Sequence, residues 1–282
     1  MLGGKKGVFS ACLAKRGDRY ACTLAKRVSK EAPRDIQFAS VLTEDAIKPH
    51  FMPLVRSHRK KGHLTTLLDP KDYQFHLLDR PKISERRLHK RMQFLLTDLV
   101  DGNIKDYQYK IYLSACEPTQ VMTYVVKRTV LDDYFAFSKK HLKMLPTHVS
   151  VPELALLAFA NAYYPESAKT MLMVQAYDTF LMLLLFQQST LVKTFLLPAI
   201  EGSGETSADQ IANALESANK IIGRSIDTLY WNVGDEAFKA ITKNTQLGAI
   251  THEKIAIPST NAIIKPEELT DLVTAVGGGG IW

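Results

Sequence analysis

Two stretches of the chain carry the same pattern: an apolar run, a short polar break, and a second apolar run. One is Val8-Phe-Ser-Ala-Cys-Leu-Ala-Lys-Arg-Gly-Asp-Arg-Tyr-Ala-Cys-Thr-Leu-Ala-Lys26; the other spans Met171 to Pro198. Alternating or continuous apolar runs of strand length around a Gly/Asp or polar turn predict β-hairpins. The first hairpin is followed by a third strand over Ile36–Leu42, and the second contains three strands, Met171–Ala176, Thr179–Phe186 and Leu191–Leu197. Each region therefore opens with a three-stranded antiparallel meander.

After each meander the period changes to that of helices alternating with strands. In the first half, Thr43 caps a helix that begins with Glu44 and Asp45 and is interrupted by Pro49 and Pro53; an acidic first turn complements the helix dipole. Strands are expected at 64–68 and 73–78. A helix from Ser84 carries Leu88, Met92, Leu95, Leu96 and Leu99 at three- and four-residue spacing. Strands at 107–113 and 120–126, a helix at 129–143, a short strand at 147–151 and a helix from Pro152 to Tyr163 follow. That last helix is apolar on nearly every face, so it belongs inside, between layers or domains. In the second half, a flexible Glu201–Glu205 linker precedes a helix from Ser207 to about Gly223. A strand at 225–233, a helix at 235–243, a brief strand at 254–257 and a last helix at 266–276 complete it, with Gly277–Gly280 reading as part of a frayed tail. The order β-β-β-α-β-α, given twice, is that of a duplicated α/β fold of the actin and ribonuclease-H type, with a cleft between two domains. The boundaries are 1–165, 166–265, and 266–282 for a C-terminal helix and flexible tail.

Composition fits a folded protein: 46% of residues are hydrophobic and 23% charged. The longest apolar stretch, Phe180–Phe186, is far short of the roughly 20 residues that span a bilayer. The basic N-terminal segment lacks the apolar core of a secretory signal. A cytosolic protein is expected, and three cysteines cannot close a disulfide framework. With a turn centred on Gly17, Cys12 and Cys22 would face each other as small buried side chains. There is no Cys/His cluster with metal-ligand spacing, and no metal is expected.

The net charge of +7 is unevenly placed. Residues 1–145 hold 28 Lys and Arg against 15 Asp and Glu, while residues 146–282 hold 8 against 14. The dense basic clusters are Arg56–His63, Glu85–Arg91 and Lys139–Lys143. Such asymmetry points the N-terminal half at an anionic surface. A nuclease of the ribonuclease-H type needs clustered carboxylates for two metals. None are grouped in the first 150 residues, so no nucleic-acid partner is expected.

The run Asp79-Arg-Pro-Lys-Ile-Ser-Glu-Arg-Arg-Leu88, the helix to Asp98-Leu-Val-Asp101, and above all His148-Val-Ser-Val-Pro-Glu-Leu-Ala-Leu-Leu157 resemble the cytoplasmic actin-like proteins of type IV pilus and type II secretion assembly. These are PilM, MshI of the MSHA pilus, and the cytoplasmic part of GspL. Their domain-joining segment of the form I-D-[VI]-P-E-L-A is here Val149-Ser150-Val151-Pro152-Glu153-Leu154-Ala155, with Ser150 where Asp is frequent. The resemblance implies a cytoplasmic scaffold, peripheral at the inner face of the bacterial inner membrane. It implies binding of the cytosolic N-terminal tail of a bitopic PilN-like or MshJ-like protein, near Leu64 to Val126, and contact with other platform proteins. The alternative it leaves open is an active actin-like ATPase.

The resemblance also identifies where nucleotide would sit. Against the family's G-[IL]-D-[IF]-G stands Val8–Cys12, with Ser10 at the acidic position. Against D-[IL]-G stands Val174–Asp178, with Asp178 displaced into the turn, and the adenosine motif keeps only Gly234. Without glycine turns to present backbone N–H groups and a carboxylate to place Mg²⁺, a triphosphate gains little. The expectation is a vestigial cleft at Ser10, Asp178 and Gly234, no catalytic residue, and no ATP or Mg cofactor: a pseudo-ATPase.

Overall fold

The computed structural model describes residues 8–27, 35–58, 62–113, 119–166, 170–177, 179–198, 204–243, 247, 250–257 and 268–278. The first meander is β1 (Val8–Arg16), β2 (Arg19–Arg27) and β3 (Asp35–Thr43). A helical segment follows, α1 (Glu44–Ala46) and α2 (Met52–Ser57) joined by a π turn over Ile47–Phe51, and leads into β4 (Gly62–Leu67). The prolines expected to break this helix sit within the wide turn and at the start of α2, where a missing N–H is tolerated. The chain next builds β5 (Gln74–Asp79), α3 (Glu85–Thr97), β6 (Tyr107–Tyr112) and β7 (Gln120–Lys127), then α4 (Arg128–Leu142), β8 (His148–Ser150) and α5 (Pro152–Tyr163). The second half is β9 (Thr170–Ala176), β10 (Phe180–Gln187), β11 (Thr190–Pro198), α6 (Gly204–Ile222), β12 (Thr228–Asn232), α7 (Asp235–Thr242), β13 (Thr251–Lys254) and α8 (Leu269–Gly278).

Two five-stranded sheets have one topology. The first runs β3-β2-β1-β4-β8 and the second β11-β10-β9-β12-β13. In each, the meander is antiparallel and the remaining strands join parallel to its first strand. The duplication read from the sequence is therefore present strand for strand. The segment β5–α3–β6–β7 is extra: it forms a separate three-stranded sheet, β5-β7-β6, inserted between β4 and α4. The narrow stripe Leu88, Met92 and Leu96 seats α3 on one face of that sheet.

The principal core lies between the two large sheets. Phe159 and Leu156 of α5, Val273 and Val276 of α8, and Met173 and Leu184 of the second sheet form one buried cluster. This is why α5 is apolar all round. A second core packs α6 and α7 on the outer face of the second sheet around Trp231. A third places Ile47, Phe51 and Leu142 on the outer face of the first.

Four expectations are corrected. The first hairpin turns on Gly17-Asp18, with Arg16 opposite Arg19, so Cys12 pairs with Thr23 and Cys22 with Leu13. A one-residue register difference exchanges faces: the two thiols are buried in different cores, Cys12 between the sheets and Cys22 beneath the π turn. Strand β13 begins three residues before its expected position, because Ile255, the apolar signal for it, buries at the strand's end rather than along it. Helix α6 already includes Gly204 and Glu205 of the expected linker. Finally, Gly277 and Gly278 are the last turn of buried α8, not a frayed tail. A Cβ on Gly278 would come within 2.5 Å of Cys12 Sγ, and one on Gly277 would strike the Ala155 carbonyl. Glycine here permits helix–sheet and helix–helix contact. Residues 279–282 lie outside the described residues.

Candidate functional site

Two concave sites flank the core. The first is the interdomain cleft, where the β1–β2 turn faces the start of the β9–β10 turn. Arg16, Gly17, Asp69 and Lys71 line it from the first domain, Tyr177 and Phe180 from the second, and Asp271 from α8. Its free volume is about 240 Å³, below the roughly 300–1,000 Å³ of small-molecule pockets.

Several of the cleft's polar groups are engaged with one another. Gly17 N–H donates to Asp69 Oδ2 at 3.3 Å, and Lys71 N–H donates to Asp69 Oδ1 at 3.0 Å. Gly17 can make this turn because it adopts φ +61°. Arg16 extends across the cleft: its guanidinium lies 4.1 Å from the Tyr177 ring centroid, and its Nε is 3.2 Å from Asp271 Oδ1. Tyr177 in turn stacks on Phe180 at 4.6 Å. Behind Asp69, its own N–H donates to Tyr134 Oη at 2.8 Å, and the Tyr134 hydroxyl donates to Asp72 Oδ2 at 2.7 Å. The Gly17 amide is held by a carboxylate, and a cation–π contact crosses between the domains.

Of the residues expected to mark this cleft, Ser10 and Gly234 are not among those that line it. Ser10 is buried in the middle of the first sheet, facing Ala25 and His63 in register. It is six residues before Arg16, about 20 Å away along an extended strand. The end of β1 that faces the cleft is Arg16-Gly17. Gly234 is the N-cap of α7 with an ordinary φ of −62° and open space where a side chain would grow. Asp178 lies outside the described residues. Among the described residues no cluster of metal-ligating side chains occurs.

The second site is a groove of about 450 Å³ between the inserted sheet and the first sheet's edge. Its floor is apolar, with Leu68, Tyr73, Tyr124 and Leu131, and its two walls are strands β6 and β8. Among the described residues each of these strands is the outermost of its sheet, β6 beside β7 and β8 beside β4. Two outermost strands thus border one apolar trough, an arrangement that accepts an extended peptide by strand addition.

Between groove and cleft lies Glu153, at the second position of α5 and 1% exposed. The Tyr73 hydroxyl donates to its Oε2 at 2.7 Å. Burial pushes the Glu153 carboxyl up to about 7, and the Tyr73 bond opposes this only in part. Burial likewise raises the Tyr73, Tyr124 and Tyr177 phenols, the neighbouring carboxylate adding to the effect. The sequence shows Glu153 only as part of a domain-joining motif; its isolation requires the two sheets to close over α5.

No protein-family model and no curated protein matches the chain. Solved structures do. A chain of the PilM–PilN type IV pilus biogenesis complex superposes with TM-score 0.69 at 11% identity, covering 98% of each chain. The cytoplasmic domain of EpsL, an inner membrane component of the type II secretion system of Vibrio cholerae, gives 0.54 at 10%, covering 95% of this chain and 94% of that one. A Bacteroides thetaiotaomicron protein with actin-like ATPase fold and unknown function gives 0.50 at 9%, covering 93% and 96%. No helix among the described residues is long and apolar enough to cross a membrane. With two matching sheets around a cleft and these likenesses over nearly its whole length, the chain has the two-domain actin-like α/β fold.

Proposed function

We propose that this protein is a non-catalytic cytoplasmic scaffold of a type IV pilus or related secretion platform. Its groove takes the cytosolic N-terminal tail of a bitopic PilN-like partner. The observation that carries this reading is the apolar groove walled by β6 and β8, the outermost strands of their sheets among the described residues. An extended tail would pair its backbone with one edge and place alternate side chains in the trough. Likeness to a chain of the PilM–PilN complex agrees with a partner of that kind. In an MSHA-type system the partner would be MshJ-like. The groove lies within the Leu64–Val126 region and extends past it to β8 and α5.

The cleft serves this scaffold as a fixed joint. The Gly17–Asp69 bond and the Arg16 bridge to Tyr177 and Asp271 occupy the positions where a nucleotide would need free donors. These contacts support a pseudo-ATPase that operates without ATP or Mg²⁺. The basic N-terminal half would face the anionic inner leaflet or acidic platform proteins.

Titration of the full chain with a synthetic peptide of the partner's N-terminal tail tests the reading. Saturable binding in the micromolar range, weakened by Leu131→Asp in the groove floor, is expected. Absence of binding at high micromolar peptide would sink it.

A further inference from the structure

Helix α3 is the outer layer of the inserted sheet. Leu88, Met92 and Leu96 are its buried stripe, and its other faces are open to solvent. Arg87, Lys90, Arg91 and Phe94 stand at helical spacings that place them on one exposed face. Lys82 and Arg86 add two further exposed cations beside them, against two exposed carboxylates, Glu85 at the start of the helix and Asp98 at its end. Among the described residues, no carboxylate is within ion-pair distance of Arg86, Arg87, Lys90 or Arg91; Glu85 pairs with Arg80 instead.

Phe94 makes this face unlike an ordinary solvated helix. It is 69% exposed, the most exposed large apolar side chain among the described residues. Ile83 just before the helix and Leu99 just after it are also exposed. Single surface hydrophobics need no explanation. Here one strongly exposed aromatic ring stands among cations that have no ion-pair partner among the described residues, with exposed Ile83 before the helix and Leu99 after it. Aromatic and aliphatic residues beside Lys and Arg are the make-up of a helix that rests on a membrane surface.

We infer that the exposed face of α3 contacts an anionic lipid bilayer, with Arg87, Lys90 and Arg91 on the headgroups and Phe94 inserted between them. This deepens, and rests on, the scaffold reading. The groove-lining Tyr109 donates its hydroxyl to the His89 carbonyl of α3 at 2.9 Å, so α3 rides on the inserted sheet that also borders the groove, on the face of that sheet opposite Tyr124 and Val126. A tail that continues into a membrane-spanning segment must leave its groove close to the bilayer. A nucleic acid could satisfy the cations, but its phosphate backbone offers Phe94 no apolar partner, whereas acyl chains do.

The test is co-sedimentation of the full chain with vesicles of phosphatidylcholine alone and of phosphatidylcholine mixed with phosphatidylglycerol. Binding is expected only to the mixed vesicles and should fall steeply at high salt. Arg87→Gln and Arg91→Gln should each weaken it about fivefold, and Phe94→Ser about tenfold. These side chains are exposed, so unchanged thermal unfolding of the variants separates lost binding from lost folding. The inference is overturned if mixed vesicles are not bound, or if all three variants bind like the parent. It is also overturned if duplex DNA displaces the protein from mixed vesicles and depends on Arg87 and Arg91 but not Phe94. Peptide titration without lipid stands apart: tail binding with no vesicle binding would remove this inference and leave the scaffold reading intact.

Discussion

The Arg16 guanidinium lies over the Tyr177 ring, 4.1 Å from its centroid, and so ties the first hairpin of one domain to the first hairpin of the other. In an actin-like cleft those hairpins flank the space that would hold phosphates. Here the bridge is anchored at its far side by Asp271 of α8, itself a helix that belongs to the C-terminal end of the chain but packs on the N-terminal sheet. Opening the cleft would break the stacking and expose an ion pair that is largely shielded.

Arg16→Ala should therefore destabilise the fold by about 2–3 kcal/mol. The loss combines a desolvated cation–π contact with stranding of Asp271. Arg16→Met, which keeps contact with the Tyr177 ring but not the charge, should lose less. Urea unfolding of both variants measures the difference; equal or negligible losses would show that the bridge is ornamental.

Mg-ATP should leave the melting temperature unchanged. A ligand present at 100 times its Kd stabilises by about 2.7 kcal/mol, several degrees for a chain of this kind. Gly17 N–H would have to exchange Asp69 for a phosphate, and Arg16 would have to leave its stack. A clear upward shift with millimolar Mg-ATP would reject the reading of the cleft as a joint.

Glu153 sets a pH dependence whose sign is fixed by its environment. The carboxyl is raised by burial to about 7 in the folded chain, against an ordinary value near 4.3 when unfolded. Below about pH 4 the group is neutral in both states. As pH rises towards 7 the unfolded state ionises first, so stability falls, by ~3 kcal/mol once both states are charged. The groups facing it are the Tyr73, Tyr124 and Tyr177 phenols, all raised by burial and silent in this window, and the fixed cation Arg16 beyond Tyr177. Glu153→Gln should gain on the parent by that amount between pH 5 and pH 8. A constant difference in urea unfolding across that range would show that Glu153 ionises normally.

Two glycine substitutions should diverge. Gly277→Ala drives a methyl into the Ala155 carbonyl of α5 and should cost about 2–3 kcal/mol, as overpacked cores do. Gly234→Ala meets nothing, at a φ of −62°, and should cost less than about 1 kcal/mol, the poorer N-cap being offset by the stiffer unfolded chain. Thermal unfolding of the pair checks both. A harmless Gly277→Ala would mean that α8 is not held as tightly as its contacts indicate.

Hydrophobic periodicity alone carried much of the architecture. The two meanders, α5 as a buried central helix, and the amphipathic stripe of α3 are local patterns whose period matches the element they form. The residues of the cleft were less legible. The resemblance points to Val8–Cys12, yet Ser10 lies about 20 Å from the cleft end of its strand, because a degenerate motif fixes register only to within a few residues. Nothing in the sequence marks Asp69 as the acceptor for Gly17, since the bond joins residues 52 apart. The groove is likewise made by two strand edges, β6 and β8, that are unremarkable singly.

Local spacing thus determined which segments are strands and helices, that the order is repeated, and that charge gathers in the first half, because each depends on neighbours in the chain. Tertiary structure alone decided the one-residue hairpin register that sends Cys12 and Cys22 to opposite faces. It also decided the burial of Gly277 and Gly278 against α5 and β1, the isolation of Glu153, and the bridge from Arg16 to Tyr177. Each of these depends on groups brought together from distant parts of the chain, and their energies exist only once the two sheets have closed on the helices between them.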